Sequence, residues 1–351
     1  MNKRNQEYIR SCLLGGAVGD ALGWPVEFIR LNEIKSKYGD QGIMDLNINS
    51  SGIAEITDDT QMTIFTAEGL LRAECRGNKR GVCHIPSIVH HAYIRWLNTQ
   101  GIKCLEKENV IKELDGWVGH IQQLYSRRAP GNSCISALAS GKMGTIEEPI
   151  NNSKGCGGIM RIAPVGLFYS KEMAFRIGCE IAAITHGHPS GYLSAGMLAY
   201  IISEIIDGSD IRDSINNALE ELLSYPGHEE CEKVVMKALK LVDNDTKPQD
   251  AIHELGEGWV GEEALAVSIY CSLRYQDDFR KALCLSVNHD GDSDSTGAIT
   301  GNILGAYAGI DAIPAEWVKK VELRDEITQL ADDLLVRYSE EDSWWEKYPG
   351  W

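Results

Sequence analysis

Three aspartates alternate in His289-Asp290-Gly291-Asp292-Ser293-Asp294-Ser295-Thr296-Gly297, and hydroxyls follow them. Carboxylate and hydroxyl oxygens are the ligands that hard cations such as Mg²⁺ prefer. Much earlier in the chain, Thr57-Asp58-Asp59-Thr60 offers the same chemistry. Each segment stands just ahead of an apolar run with helical spacing. Two oxygen-rich helix starts in one chain point to a shared metal site, and through it to hydrolytic chemistry.

Capping alone accounts for part of this pattern, because Asp, Ser and Thr are favoured at helix N-termini. It does not account for more than one carboxylate per start. Adjacent carboxylates repel, and gathering four of them raises their pKa values unless cations balance the charge. An EF-hand beginning at Asp290 needs glycine at its sixth position and glutamate at its twelfth. Ser295 and Gly301 stand there, so that reading fails. No phosphate-binding G-x-x-x-x-G-K-[ST] loop and no nucleophile elbow is present.

The elements that must position these residues are helices. Apolar residues recur at three- and four-residue intervals through Ile9, Leu13, Leu14, Val18 and Leu22, through Ile64 to Leu71, and through Ile88 to Trp96. Similar runs cover 172–185, 192–206, 211–223, 230–241, 262–274, 278–287, 297–308 and 322–337. Sustained alternation is rare, which predicts an all-α protein of a dozen or more helices. Loops are expected near 39–56, 126–133, 143–157, 225–229 and 288–294. No low-complexity linker divides the chain, and a shared site requires one compact domain over 1–351.

Glycines recur every four residues at Gly15, Gly19 and Gly23, and again at Gly297, Gly301, Gly305 and Gly309. Interior glycine costs about 1 kcal/mol relative to alanine. Two central helices packed backbone to backbone would offset that cost.

Composition narrows the function. The 351 residues carry 34 basic and 51 acidic side chains, a formal charge of −17, which argues against a general nucleic-acid surface. Ten cysteines form no C-x-x-C pair and match no zinc spacing, so reduced thiols in a cytoplasmic protein are the simplest reading. The N-terminus faintly imitates a signal peptide, but Asp20 interrupts its apolar run. No segment has the roughly 20 apolar residues needed to span a bilayer.

Three further segments carry chemistry-bearing residues. Gly19-Asp20-Ala21-Leu22-Gly23-Trp24-Pro25-Val26-Glu27 places Glu27 just past a Trp-Pro break. Lys154-Gly155-Cys156-Gly157-Gly158-Ile159-Met160-Arg161 is a donor-rich turn of the kind that accommodates a phosphate or pyrophosphate. Thr185-His186-Gly187-His188 offers a ligand-facing histidine. The aromatic tail Trp344 to Trp351 either docks onto the body or presents a partner-binding patch.

Together these segments resemble the ADP-ribosylglycohydrolase family. The resemblance rests on Gly19–Gly23 with Glu27, Thr57–Thr60, Arg128-Ala129-Pro130-Gly131-Asn132, Gly155–Arg161, Thr185-His186 and Gly291–Gly297, in order across roughly residues 8 to 310. It implies an all-α fold with a two-metal centre, usually Mg²⁺ and sometimes Mn²⁺. Glu27, Thr57, Asp58, Asp59, Asp292, Asp294 and Ser295 would be the ligands, with Glu27 on a mobile loop closing over the site. Many relatives carry threonine where Ser295 stands, and serine keeps the hydroxyl. Five negative charges against four from two divalent ions would leave one carboxylate's worth of charge for proton transfer, at Glu27, Asp59 or Asp292.

The activity implied is removal of ADP-ribose from a modified protein side chain, arginine-linked first. Serine-linked and base-linked ADP-ribose are the alternatives. The loop Ser153, Lys154, Gly155, Cys156, Gly157, Gly158 and Ile159 would cradle the diphosphate, with His186 and Asn132 as further ligand contacts. An ADP-ribosyltransferase is a possible partner. Two other classes stay open: a protein that binds ADP-ribose or a toxin without turnover, and a structural helical protein whose acidic segments are only caps.

Overall fold

Asn5 starts the first helix by accepting hydrogen bonds from the Glu7 and Tyr8 amides, which would otherwise have no partner. A computed structural model describes residues 2–104 and 115–350. Seventeen α-helices follow one another among the described residues: α1 (Gln6–Gly23), α2 (Leu31–Tyr38), α3 (Asp58–Arg80), α4 (Ile85–Thr99), α5 (Asn132–Ala139), α6 (Ala163–Phe168), α7 (Lys171–Ala183), α8 (Pro189–Asp207) and α9 (Ile211–Leu222). The chain continues through α10 (Glu229–Val242), α11 (Pro248–Leu255), α12 (Gly261–Arg274), α13 (Phe279–Val287), α14 (Ser293–Ala308), α15 (Ala315–Lys320), α16 (Arg324–Val336) and α17 (Asp342–Lys347). No strand forms among these residues, only the isolated bridges Ala54–Val321 and Gly155–Val260. The all-α expectation holds, and every run singled out by periodicity is a helix. No single helix is long and apolar enough to cross a membrane.

Helices α1 and α14 form the centre, antiparallel and in backbone contact. A methyl group added to Gly15 would strike the Gly301 carbonyl, one on Gly19 the Gly297 carbonyl, and one on Gly23 the Ser293 carbonyl. Such close approach strips away side-chain volume and leaves polar cross-links in its place. Ser11 Oγ donates to the Gly305 carbonyl at 2.5 Å, and Asn302 Nδ2 donates to the Cys12 carbonyl at 2.8 Å. Gly309 departs from the expected stripe. It ends α14 with φ +84°, beside the Glu7 side chain.

The antiparallel register decides what meets at one end of the pair. As α1 runs out toward Glu27, α14 begins at Asp292. The helix α3 joins them through Asp20, a buried residue of α1. Its carboxylate accepts from the Thr57 amide at 3.0 Å, the Thr60 amide at 3.1 Å and the Thr60 hydroxyl at 2.5 Å. Behind the site, α3 and α4 share a buried ionic network in which Glu68 pairs with Arg72 and Arg95, each at 2.8 Å.

The aromatic tail docks. Tyr348 is buried and donates to Asp333, Lys347 reaches the same carboxylate at 2.5 Å, and the Pro349 and Gly350 carbonyls accept from Arg72 and Arg76.

Candidate active site

Both acidic segments turn out to lie within helices as well as ahead of them. Asp58 and Asp59 fill the first turn of α3, and Asp294 and Ser295 the first turn of α14. The loop expected to extend to 294 is therefore shorter by two residues. Asp292 caps α14, its Oδ1 accepting weakly from the Ser295 amide at 3.3 Å, while Thr57 caps α3 through the Asp59 amide at 3.3 Å. Two helix N-termini thus aim their positive ends at one point.

Carboxylate oxygens of Glu27, Asp292 and Asp294 lie within 4.8 Å of one another. All three, with Asp58 and Asp59, are buried, yet they line one cleft of about 720 Å³. None of the five forms an ion pair among the described residues. Glu27 Oε2 and Asp59 Oδ2 have no hydrogen-bond partner among the described residues. Buried, unpaired negative charge is costly, and the pKa values register it. Burial and then the charges of Asp292 and Asp58 push Glu27 up to about 9. Asp58, Asp59 and Asp294 are likewise raised well above the usual carboxylate range, chiefly by burial. Partial helix charges do not offset five carboxylates. Orphaned oxygens in an all-oxygen donor set fit hard divalent cations.

A pH prediction follows from that arrangement. In metal-free protein, Glu27 favours the fold when protonated. Its contribution is complete below its unfolded pKa near 4.5 and is lost as pH rises through about 9. Divalent ions bound there would replace those protons. The rise in melting temperature on adding Mg²⁺ to EDTA-stripped protein should therefore widen from about pH 5 to about pH 9. A gap that stays constant or shrinks in differential scanning calorimetry contradicts the metal reading.

Glycine-rich backbone forms one wall. Cys156 N donates to the Trp259 carbonyl at 3.1 Å and Gly261 N to the Lys154 carbonyl at 2.8 Å, which tie the 153–159 loop to the segment before α12. Gly155, Cys156 and Gly157 line the cleft, and the Cys156 thiol donates to Asp292 Oδ2 at 2.7 Å. His186 lines it too. Burial and nearby Arg161 drop its pKa to about 3, so the imidazole is neutral, with Nδ1 at 2.8 Å from the Thr185 hydroxyl. Asn132 lines the cleft as well, at the start of α5.

Other expected contacts are placed elsewhere. The Lys154 side chain does not face the cleft. Its ammonium pairs with Glu230 at 2.8 Å and Glu262 at 2.6 Å, because those carboxylates from α10 and α12 outcompete an open groove. Ser153 Oγ supports the loop through Ser133 Oγ at 2.7 Å and the Gly155 amide at 3.3 Å. Gly158 and Ile159 are packed into the interior, and Thr57 is fully buried as well, its hydroxyl accepting from the Asp59 amide.

Four residues in or behind the cleft escaped the sequence reading or were noted without a role. Asp20 fixes the Thr57 turn. Phe28 and Trp259 stack at the mouth with ring centroids 5.9 Å apart and planes 21° apart. Arg127 stands exposed on the rim. The signals were faint: an aromatic directly after Glu27, and a tryptophan in the glycine-bearing Gly256-Glu257-Gly258-Trp259.

Known proteins are similar to this chain over most of its length. The chain is 28% identical over 335 residues to an uncharacterized protein of Archaeoglobus fulgidus, covering 94% of this chain and 96% of that one. It is 24% identical to ADP-ribosylarginine hydrolase Tri1 of Serratia proteamaculans, covering 95% and 80%. Identity to ADP-ribosyl-[dinitrogen reductase] glycohydrolase of Rhodospirillum rubrum is 25%, covering 92% and 94%. A solved ADP-ribosylglycohydrolase-related protein complex superposes with a TM-score of 0.67 at 25% identity, covering 95% of this chain and 99% of that one. The pattern that defines the ADP-ribosylglycohydrolases matches residues 1–343, and with the shared fold it establishes that this chain belongs to the ADP-ribosylglycohydrolase family of hydrolases.

Proposed function

We propose that the protein removes ADP-ribose from arginine side chains of modified proteins, and that the reaction depends on a pair of divalent cations, Mg²⁺ or Mn²⁺. The observation that carries this reading is the convergence of five buried carboxylates on one cleft, none of them in an ion pair among the described residues. Relatives named for ADP-ribosylarginine hydrolysis support the linkage. Relatives named ADP-ribosylhydrolase ARH3 match over about half of this chain.

Glu27, Asp58, Asp59, Asp292 and Asp294 would hold the ions, with Ser295 and Thr57 as hydroxyl donors. Bound divalent ions supply Lewis acidity toward water and sugar hydroxyls. The protein's own groups do the rest. Stacked Phe28 and Trp259 narrow the mouth and limit water entry. The Gly155–Gly157 backbone and neutral His186 offer a close, uncharged wall to the diphosphate. Cys156 steadies Asp292 through its thiol. Glu27 Oε2, with no protein partner, is free to take the proton of the attacking water or to return it to the leaving nitrogen. Glycosidic cleavage passes through an oxocarbenium-like transition state, which nearby carboxylates stabilise.

The test is a hydrolysis panel of arginine-, serine- and nucleotide-linked ADP-ribose, each with Mg²⁺ and with EDTA. Release of ADP-ribose should be fastest from arginine and should fall by about a hundredfold or more in EDTA. Preference for serine would correct the linkage. Undiminished turnover in EDTA would remove the metal.

A further inference from the structure

The cleft has five carboxylates at its base and belongs to a chain of net charge −17, yet its substrate class carries a diphosphate. Neutral backbone alone would have to hold that anion against the surrounding charge. Among the described residues that line the cleft, one arginine and no lysine is found, and that arginine is Arg127. Its guanidinium forms no ion pair or hydrogen bond within the described protein. Glu55 and Glu322 are both taken by the next residue, Arg128, at 3.5 Å for Glu55 and closer for Glu322.

The backbone around Arg127 is clamped on both sides. Gln61 Nε2 donates to the Ser126 carbonyl at 2.8 Å. Arg128 Nη1 donates to the Ile56 carbonyl at 2.7 Å. Farther on, Gly131 N donates to Asp58 Oδ2 at 3.2 Å, and that carboxylate belongs to the site itself. Between these anchors, Ala129 is held at φ +46°, a conformation that non-glycine residues adopt only when their surroundings impose it. The segment therefore presents a free guanidinium on a rigid mount, at the rim of a cleft with no other cationic side chain.

We propose that Arg127 reads the diphosphate of the substrate and thereby sets affinity for ADP-ribose. A guanidinium forks onto phosphate oxygens through paired N–H donors, and such charge-assisted bonds are stronger than neutral ones. The proposal rests on the ADP-ribosyl hydrolase reading above. Its role is in binding, so Arg127→Ala should raise KM while kcat stays near the wild-type value.

Calorimetric titration of the full-length, Mg²⁺-loaded protein with ADP-ribose and with adenosine tests this directly, since adenosine lacks the diphosphate. Arg127→Ala should weaken ADP-ribose roughly tenfold or more and leave adenosine unchanged. Arg127→Lys should recover part of the loss, because it restores charge without the fork. Raising salt should narrow the gap between wild type and Arg127→Ala. The side chain is exposed, so melting temperature should not move. Unchanged ADP-ribose affinity in Arg127→Ala overturns the proposal while leaving the hydrolase reading intact. Loss confined to protein-linked substrate also overturns it, and assigns Arg127 to the modified protein. A wild-type protein that neither binds nor releases ADP-ribose overturns both.

Discussion

Asp294→Asn is expected to make the metal-free protein more heat-resistant than wild type and nearly inactive. Asp294 lies buried among Asp59, Glu27, Asp292 and Asp20, whose charges all disfavour its ionised form. Asparagine keeps the volume and the oxygen that accepts from the Ser295 amide at 3.0 Å, so α14 should start as before. What disappears is a group that must either carry a charge in a crowded cluster or take up a proton when the protein folds. At about pH 8 in EDTA this relieves repulsion, and the melting temperature should rise. With Mg²⁺ the order should reverse, because the variant loses the ligand that makes cations stabilising. Turnover should fall by several kcal/mol of barrier, on the order of a thousandfold. Asp292→Asn should behave alike, since asparagine caps a helix as well as aspartate does. Calorimetry with and without Mg²⁺, beside an ADP-ribose release assay, reads both quantities. Wild-type turnover, or an unchanged Mg²⁺-induced rise in melting temperature, would remove these aspartates from the centre.

The second large effect concerns stability. Gly19→Ala should destabilise the protein by about 3 kcal/mol or more, although alanine is the better helix former by about 1 kcal/mol. The added methyl meets the Gly297 carbonyl and the Ala298 amide, backbone atoms that cannot swing aside as a side chain would. Gly77→Ala in α3 supplies the contrast. A methyl there meets only Cys83 Cβ at 4.0 Å, so alanine should add roughly 0.5 to 1 kcal/mol. Chemical denaturation of both variants gives the comparison. Equal effects of the same sign would mean that the two central helices do not touch through their glycines. Gly19→Ala should also weaken Mg²⁺ binding, because parting α1 from α14 moves Glu27 away from Asp292.

Much of this was legible in the residues alone. Periodicity located the long helices to within a few positions. The four-residue glycine spacing foretold the α1–α14 contact, because small residues at that interval leave only backbone on one face. The carboxylates were legible for a related reason: capping uses one acid per helix start, and the surplus required another cause. Short helices such as Leu31–Tyr38 and Pro248–Leu255 were missed, since so few residues show little periodicity. Lys154 was misplaced because a lysine beside a glycine loop reads as an anion ligand, and no local pattern shows that Glu230 and Glu262 lie within its reach. Asp20 was quoted in a motif without a role. Its importance comes from reaching across to the Thr57–Thr60 turn, a contact made only in three dimensions.

The partnership of α1 with α14 has a consequence for biosynthesis. Residues 6–23 leave the ribosome early, whereas residues 293–308 leave late. Until the late helix emerges, the early one has no surface that fits its bare backbone face, and Glu27 has no aspartates to meet. Contacts of such long sequence separation form slowly. A nascent chain therefore lacks the assembled carboxylate cluster until the later helix has emerged and docked.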